Sequence, residues 1–267
     1  MELEYFIRPG TDEEWHARWV DERIHWYASI GLPESRLQRH TYGPNELAHY
    51  AIACVDVLYA FPFGIQELEG IAARGNFDLS RHQEFSGRSM EVFDADRNER
   101  FIPHVVEPSA GVDRVALAVL CEAYREEWIP KNDDSGGIRT AEPGKRAPEG
   151  FEARTVMRFA PALAPFKAAV FPLLKNRPEL VEKARTLFLR LRRRWPVFWD
   201  QTGAIGRRYR RQDEIGTPFG ITVDFETLED DTVTLRDRDT MRQVRVPAAE
   251  IEARIDAALR GDRDENG

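Results

Sequence analysis

One short run, Glu107-Pro108-Ser109-Ala110-Gly111-Val112-Asp113-Arg114, brings together a carboxylate, a hydroxyl, a glycine and an arginine. The carboxylate attracts an ammonium, the glycine lets backbone come close, and the arginine pairs with phosphate as a planar fork. Such a set can hold a small amine-bearing ligand beside a polyphosphate, which suggests a nucleotide-using enzyme. Three further carboxylates, Glu2, Glu4 and Glu67, fall on extended stretches of mixed polarity. A sheet with its polar face turned into a cleft would gather them around an ammonium; alternation alone leaves a solvated sheet face equally open. Arg74 and Arg114 could each fold over phosphates or a substrate carboxylate, although a lone arginine is more often a surface group. Carboxylates on strands also suit Mg²⁺, which keeps several waters and takes one or two protein ligands. No motif fixes such a ligand set, and the usual phosphate loops, GxxxxGK[ST] and strand-preceded GxGxxG, are absent. Histidines 40, 49, 82 and 104 show no catalytic or metal spacing and read as packing or surface residues.

These residues need a scaffold to position them. Ile102 to Val106 reads as a strand feeding the run, and Val112 to Glu127 as the apolar helix after it. Met1 to Ile7 is strand-like from its first residue, as if the chain began inside a larger sheet. Thr11 with Glu14 is a capping-box signature for a helix carrying Trp15, Trp19, Val20, Ile24 and Tyr27, stopped by Gly31 and Pro33. Ile65 to Ala72 reads as a strand. Pro130 to Gly150, rich in Pro, Gly, Asp and Lys, reads as an exposed loop. Beyond it, strands at 166–173, 197–199, 221–225, 232–236 and 243–246 alternate with helices at 178–191, 204–214 and 248–260, which predicts a mixed sheet flanked by helices. The resulting domains are 1–159 and 160–267. Two basic groups stand out here. Arg190 with Arg192 to Arg194 at a helix C-terminus is readily explained as dipole partners. Arg207, Arg208, Arg210 and Arg211 surround Tyr209, a composition that suits a single-stranded RNA loop by charge and stacking.

Bulk properties narrow the class. The 267 residues include 38 Lys+Arg against 46 Asp+Glu, a net charge of −8, and 42% are apolar. Real cores are expected and wholesale disorder is excluded. An acidic total argues only weakly against nucleic-acid binding, which depends on a local patch. The 2 cysteines, Cys54 and Cys121, form no zinc or disulfide pattern, so a reducing cytoplasm fits. No apolar run reaches transmembrane length and no signal peptide is evident.

Several stretches together resemble the C-terminal half of glycyl-tRNA synthetase of the dimeric, single-polypeptide type. They are Met1-Glu2-Leu3-Glu4-Tyr5-Phe6, Glu46-Leu47-Ala48-His49-Tyr50, Gln66-Glu67-Leu68-Glu69-Gly70-Ile71-Ala72, Phe77-Asp78-Leu79 and Pro103 through Arg114. Leu163 to Lys167, Phe171 to Pro178, Gly216 to Phe219 and Thr232 to Met241 extend the match. The resemblance implies part of the antiparallel-sheet catalytic domain of a class II synthetase, followed by an α/β anticodon-binding domain from about residue 160. It implies ligation of glycine to its tRNA through a glycyl-adenylate, with ATP and Mg²⁺, by a homodimer. On that basis Glu2, Arg74, Glu107, Pro108, Ser109, Ala110 and Gly111 contact glycine. Glu67, Leu68, Gly111, Val112, Asp113 and Arg114 contact ATP, and Glu107 and Arg114 are the catalytic pair. Crowded carboxylates suit glycine, binding the ammonium while leaving no room for a side chain. Family members carry motif 1 and the start of motif 2 upstream of the position matched by Met1. Removal of a transition-state donor costs about 10²–10³ in rate, so this sequence alone is expected to form adenylate poorly. The alternative is a non-catalytic, synthetase-like RNA-binding protein.

Overall fold

The computed structural model describes residues 1–131 and 137–261. They divide into two compact units, Met1–Cys121 and Glu122–Gly267. The first is an antiparallel sheet with a helix packed on one face. Its strands are β1 (Tyr5–Ile7), β2 (Leu37–Thr41), β3 (Ala53–Phe61) and β4 (Gly64–Gly75), with β5 (Val92–Asp94) and β6 (Glu99–Phe101) forming a separate hairpin and β7 (His104–Ala110) completing the set. The five-stranded order is β1-β7-β4-β3-β2. Helix α1 (Asp12–Ser29) buries His16, Val20, Ile24 and Tyr27, one stripe at helical spacing, against this sheet. The predicted capping box does not form: the Thr11 hydroxyl donates to Arg8 O at 2.7 Å. Asp12, Glu13 and Glu14 still place negative charge at the helix start, where the dipole favours it.

Met1 to Ile7 is regular strand only over β1, and Glu2 joins the sheet through an isolated bridge to Ser109. Helix α2 (Phe77–Ser86), which follows β4, buries no residue, and so left no periodic apolar signal in the sequence. Helix α3 (Val112–Ala123) begins two residues after β7, so the strand-to-helix junction lies where the sequence reading set it, although the helix ends short of Glu127. A bulge between Val57 and Leu58 of β3 shifts the pairing, with Val57 opposite Glu69 and Leu58 opposite Glu67. Leu68 is the extra residue. Upstream and downstream of it, β4 side chains change parity.

In the second unit β8 (Tyr124–Pro130), β9 (Arg139–Thr140) and β10 (Phe151–Met157) form one sheet in the order β10-β8-β9. Part of the stretch expected to be a loop, Arg139–Thr140, is thus a strand edge; residues 132–136 lie outside the described set. The contacts divide the chain at Cys121/Glu122 and place β8–β10 in one compact unit with the residues after 160, because Arg154 of β10 bonds Asp213 and the Arg238 carbonyl. A second sheet runs β12 (Val197–Trp199), β11 (Ala168–Pro172), β13 (Phe219–Val223), β14 (Thr232–Asp237), β15 (Gln243–Pro247). The two pairings to β11 are parallel and the remaining two antiparallel, the mixed sheet expected. Helices α4 (Pro178–Arg192), α5 (Ile205–Ile215), α6 (Phe225–Asp230) and α7 (Ile251–Arg260) connect or follow these strands. Pro178 opens α4, where its missing N–H costs nothing, and Leu180, Ala184, Leu187, Phe188 and Leu191 are buried. Each large apolar side chain so buried contributes about 1.5–3 kcal/mol.

A polar cluster lies inside this unit. The Arg154 side chain is 0% exposed. It donates to Glu127 at 2.9 Å, to Asp213 at 3.0 Å and to the Arg238 carbonyl. Asp213 also receives both Nη groups of Arg236, at 2.8 and 3.0 Å. These bonds tie β8, β10, α5 and β14 together.

Candidate active site

The residues of the Glu107 run are sorted by the pleat of β7. Glu107 and Ser109 turn to one face, while Pro108 and Ala110 are buried on the other. Ser109 lies opposite Gly70 and Glu107 opposite Ala72. One strand further, Asp56 faces Gly70 and Cys54 faces Ala72. Two rows therefore cross the sheet: Glu2, Ser109, Gly70, Asp56, and beside it Glu107, Ala72, Cys54. Their small central residues leave a cavity of about 350 Å³, lined by Glu67, Arg74, Glu107 and Ser109 together with Asp56, Tyr42 and Cys54. Leu3 N donates to Pro108 O at 3.0 Å, which sets the Glu2 segment along β7.

Electrostatically the hollow is acidic with one fixed cation. Arg74 donates through Nε to Asp78 at 2.6 Å, pairs through Nη1 with Glu107 at 2.7 Å, and lies 4.1 Å from the centre of the Tyr50 ring. Its bond to Asp78 holds the guanidinium above its ordinary pKa, and the same bond holds the Asp78 carboxyl below its own. Burial, then the Glu107 charge, lifts the Glu4 carboxyl, with Arg74 opposing. Burial and the charges of Asp56, Glu67 and Glu107 push the Cys54 thiol up to about 11. A ligand entering here meets carboxylates suited to an ammonium and an arginine suited to a carboxylate or phosphate.

Not every residue of the expected site reaches this hollow. Leu68 is buried in the core through the bulge, so only its backbone is open to a nucleotide. Pro108 and Ala110 likewise offer backbone alone. Gly111, Val112 and Asp113 lie exposed at the start of α3, and Arg114, also exposed, donates to the Glu67 carbonyl at 2.7 Å. Glu2 is exposed beside Ser109 rather than lining the cavity. Asp56, Tyr42 and Cys54 were missed in the sequence. A lone aspartate within the apolar Ala53–Phe61 strand was the available signal, since a charge placed there needs a partner or a purpose.

The basic group on α5 is not the uniform solvent-facing patch that its composition suggested. Arg208 is buried, donating to Pro172 O at 2.6 Å and to Gly203 O, and that burial lowers its pKa. The Tyr209 ring is buried against Phe171 and its hydroxyl meets Thr222 at 2.7 Å, so it is no stacking platform. Arg210 bonds Ala153 O and Glu152, and Arg211 bonds Asp200 and Thr202 O. Arg207 is exposed, while Arg210 and Arg211 are half-buried. Beside α5, at the carboxyl ends of β11 and β13, a cavity of about 310 Å³ is lined by Leu173, Gly206, Thr222, Asp224 and Thr234 among others.

A family model described as "Anticodon binding domain" matches residues 167–258, which include this second cavity. Among curated relatives, a "Glycine--tRNA ligase" of Thermobifida fusca (strain YX) is 48% identical over 264 residues, covering 98% of this chain and 54% of the relative. Those of Clostridium beijerinckii and Bacillus cereus are 47% and 46% identical over 259 residues, covering 97% of the chain and 51% and 52% of the relatives. The chain is homologous to glycine–tRNA ligases. It spans about half the length of the curated relatives that it matches. Its two folds, an antiparallel sheet and a mixed α/β sheet, are consistent with a fragment of a class II synthetase. Among the described residues no group of three metal-ligating side chains could hold an ion, and no helix is long and apolar enough to cross a membrane.

Proposed function

We propose that this chain supplies the amino-acid hollow and the anticodon-binding domain of a glycine–tRNA ligase. The observation that carries the reading is the pairing of Glu107 and Ser109 on one wall of an acidic cavity, with Arg74 held beside them, in a chain 48% identical to such a ligase. Glu107 and Ser109 hold the ammonium of glycine; Arg74 fixes the Glu107 carboxylate and faces the substrate's negative end. Arg114, anchored on the Glu67 carbonyl, stands at the helix start where ATP phosphates would gain from the dipole. The exposed Glu67 carboxylate, a hard oxygen donor, suits Mg²⁺, which would neutralise phosphate charge while keeping its waters. We assign residues 1–159 to the catalytic part and 160–267 to the anticodon-binding part, with β8–β10 of the former packed in the same compact unit as the latter. The crevice beside α5 takes an unstacked nucleobase of the glycine tRNA, with Arg207 on its backbone. The two thiols are unpaired, which suits a reducing cytoplasm.

The test is calorimetry with 5′-O-(glycylsulfamoyl)adenosine, a stable mimic of the adenylate. Binding at least tenfold tighter than the alanyl counterpart supports the reading; binding of neither, or of both alike, refutes it. A gel shift with transcribed glycine tRNA tests the second unit, and no shift from folded protein at low salt refutes its RNA role.

A further inference from the structure

Asp56 is 7% exposed, yet it lines the cavity. Its Oδ2 accepts the Tyr42 hydroxyl at 2.8 Å. Among the described residues its Oδ1 has only the Cys54 thiol, a weak donor, at 4.0 Å. That oxygen overhangs Gly70: a Cβ built on the glycine would meet it at 3.3 Å. Across Gly70 stands Ser109, two inter-strand spacings from Asp56, or about 9.6 Å between Cα atoms. Asp56 Oδ1 leans over Gly70, and Ser109 lines the same cavity from the far side of that glycine. An ammonium carries three donors. Glu107 already gives one oxygen to Arg74 at 2.7 Å, so its share of the ammonium is limited. The hydrogen bond to Asp56 pushes the Tyr42 phenol up to about 12, so the tyrosine stays a donor at any working pH.

We propose that Asp56, oriented by Tyr42, is a further ammonium-binding residue of the amino-acid hollow, facing Ser109 across Gly70. The inference rests on the glycine-activation reading and adds a residue to it. Gly70 keeps the floor between the two groups open, and the tyrosine holds one carboxylate oxygen so that the other points at the ligand. Tyr42 is a positioning residue; it acts through Asp56.

The test compares two probes by calorimetry: glycylsulfamoyl adenosine and acetylsulfamoyl adenosine, which replaces the ammonium by hydrogen. Asp56→Asn should weaken the amine-bearing probe about tenfold to a hundredfold, the size of a lost charge-assisted hydrogen bond, and leave the acetyl probe within about twofold. Tyr42→Phe should show the same selective pattern at about threefold to tenfold; it carries the test if Asp56→Asn does not fold by thermal melting. A substitution that weakens both probes equally, or neither, overturns the proposal while wild-type binding still upholds the function. Failure of the wild-type chain to bind either probe overturns both.

Discussion

Replacing Asp213 by Asn should unfold the second unit far more readily than its small change in shape suggests. Asp213 is 1% exposed and is the acceptor for two guanidinium groups, with Arg154 Nε at 3.0 Å and the Arg236 fork at 2.8 and 3.0 Å. The amide is nearly isosteric, so the cavity contribution is close to zero and the electrostatic one dominates. Loss of one partner from a buried ion pair leaves uncompensated charge and costs about 3–5 kcal/mol. For a unit of this size each kcal/mol lowers the melting temperature by about 2–4 °C, so the expected drop is about 6–20 °C. Arg154→Met should cost less, because Asp213 keeps Arg236 and Glu127 keeps Arg158. The double variant should fall short of the sum by about 1–3 kcal/mol, since both changes strike one network. Urea melts followed by circular dichroism measure all three. An Asp213→Asn cost under about 1 kcal/mol, or strict additivity with Arg154→Met, would show that the cluster is not an energetic unit.

Other outcomes follow from single positions. Gly216→Ala should lose about 2–4 kcal/mol by thermal melting, because φ is +89° and the new Cβ would meet Phe159 Cδ2 at 2.5 Å and Met157 O at 2.9 Å. The Asp224 carboxyl is held below its ordinary value of 3.8, first by Arg245 and then by the Thr227 cap. Its contribution is therefore complete above the unfolded-state value and disappears as pH falls through the depressed one. Asp224→Asn should lower stability at neutral pH by about 1 kcal/mol and flatten the acid limb of the stability curve below about pH 4; an unchanged limb would refute the assignment. In gel shifts across salt, Arg207→Glu should weaken tRNA binding and cut the salt slope by about one or more without changing the melting temperature. Arg208→Glu should instead lower the melting temperature sharply, since that side chain is buried on Pro172 O.

What the sequence revealed, and what it hid, follows from the range of the interactions. Helices α1 and α4 were legible because their buried residues recur at one spacing, and the junction of β7 with α3 was legible because Gly111 and the apolar run after it are neighbours in sequence. Asp56 could not be read as part of the hollow, for its partners Gly70 and Ser109 are brought to it only by pairing of β3, β4 and β7. The basic group around Tyr209 misled because local charge carries no information on burial; Arg208 is spent on backbone carbonyls. Glu67 and Glu69 are two residues apart, a spacing that in an unbroken strand puts both on one face. The structure sends Glu67 to the cavity and Glu69 to the core, where Arg23 meets it at 2.7 Å.

That divergence comes from a single supernumerary residue, Leu68. It acts as a phase inverter in the strand: the hairpin tip at 64–67 displays its side chains out of step with residues 69–75. Giving β3 a matching extra residue between Val57 and Leu58 would restore unbroken alternation and swing Glu67 toward the interior, a carboxylate thrust among apolar neighbours. The acidity of the hollow therefore depends on a counting irregularity as much as on which amino acids are present.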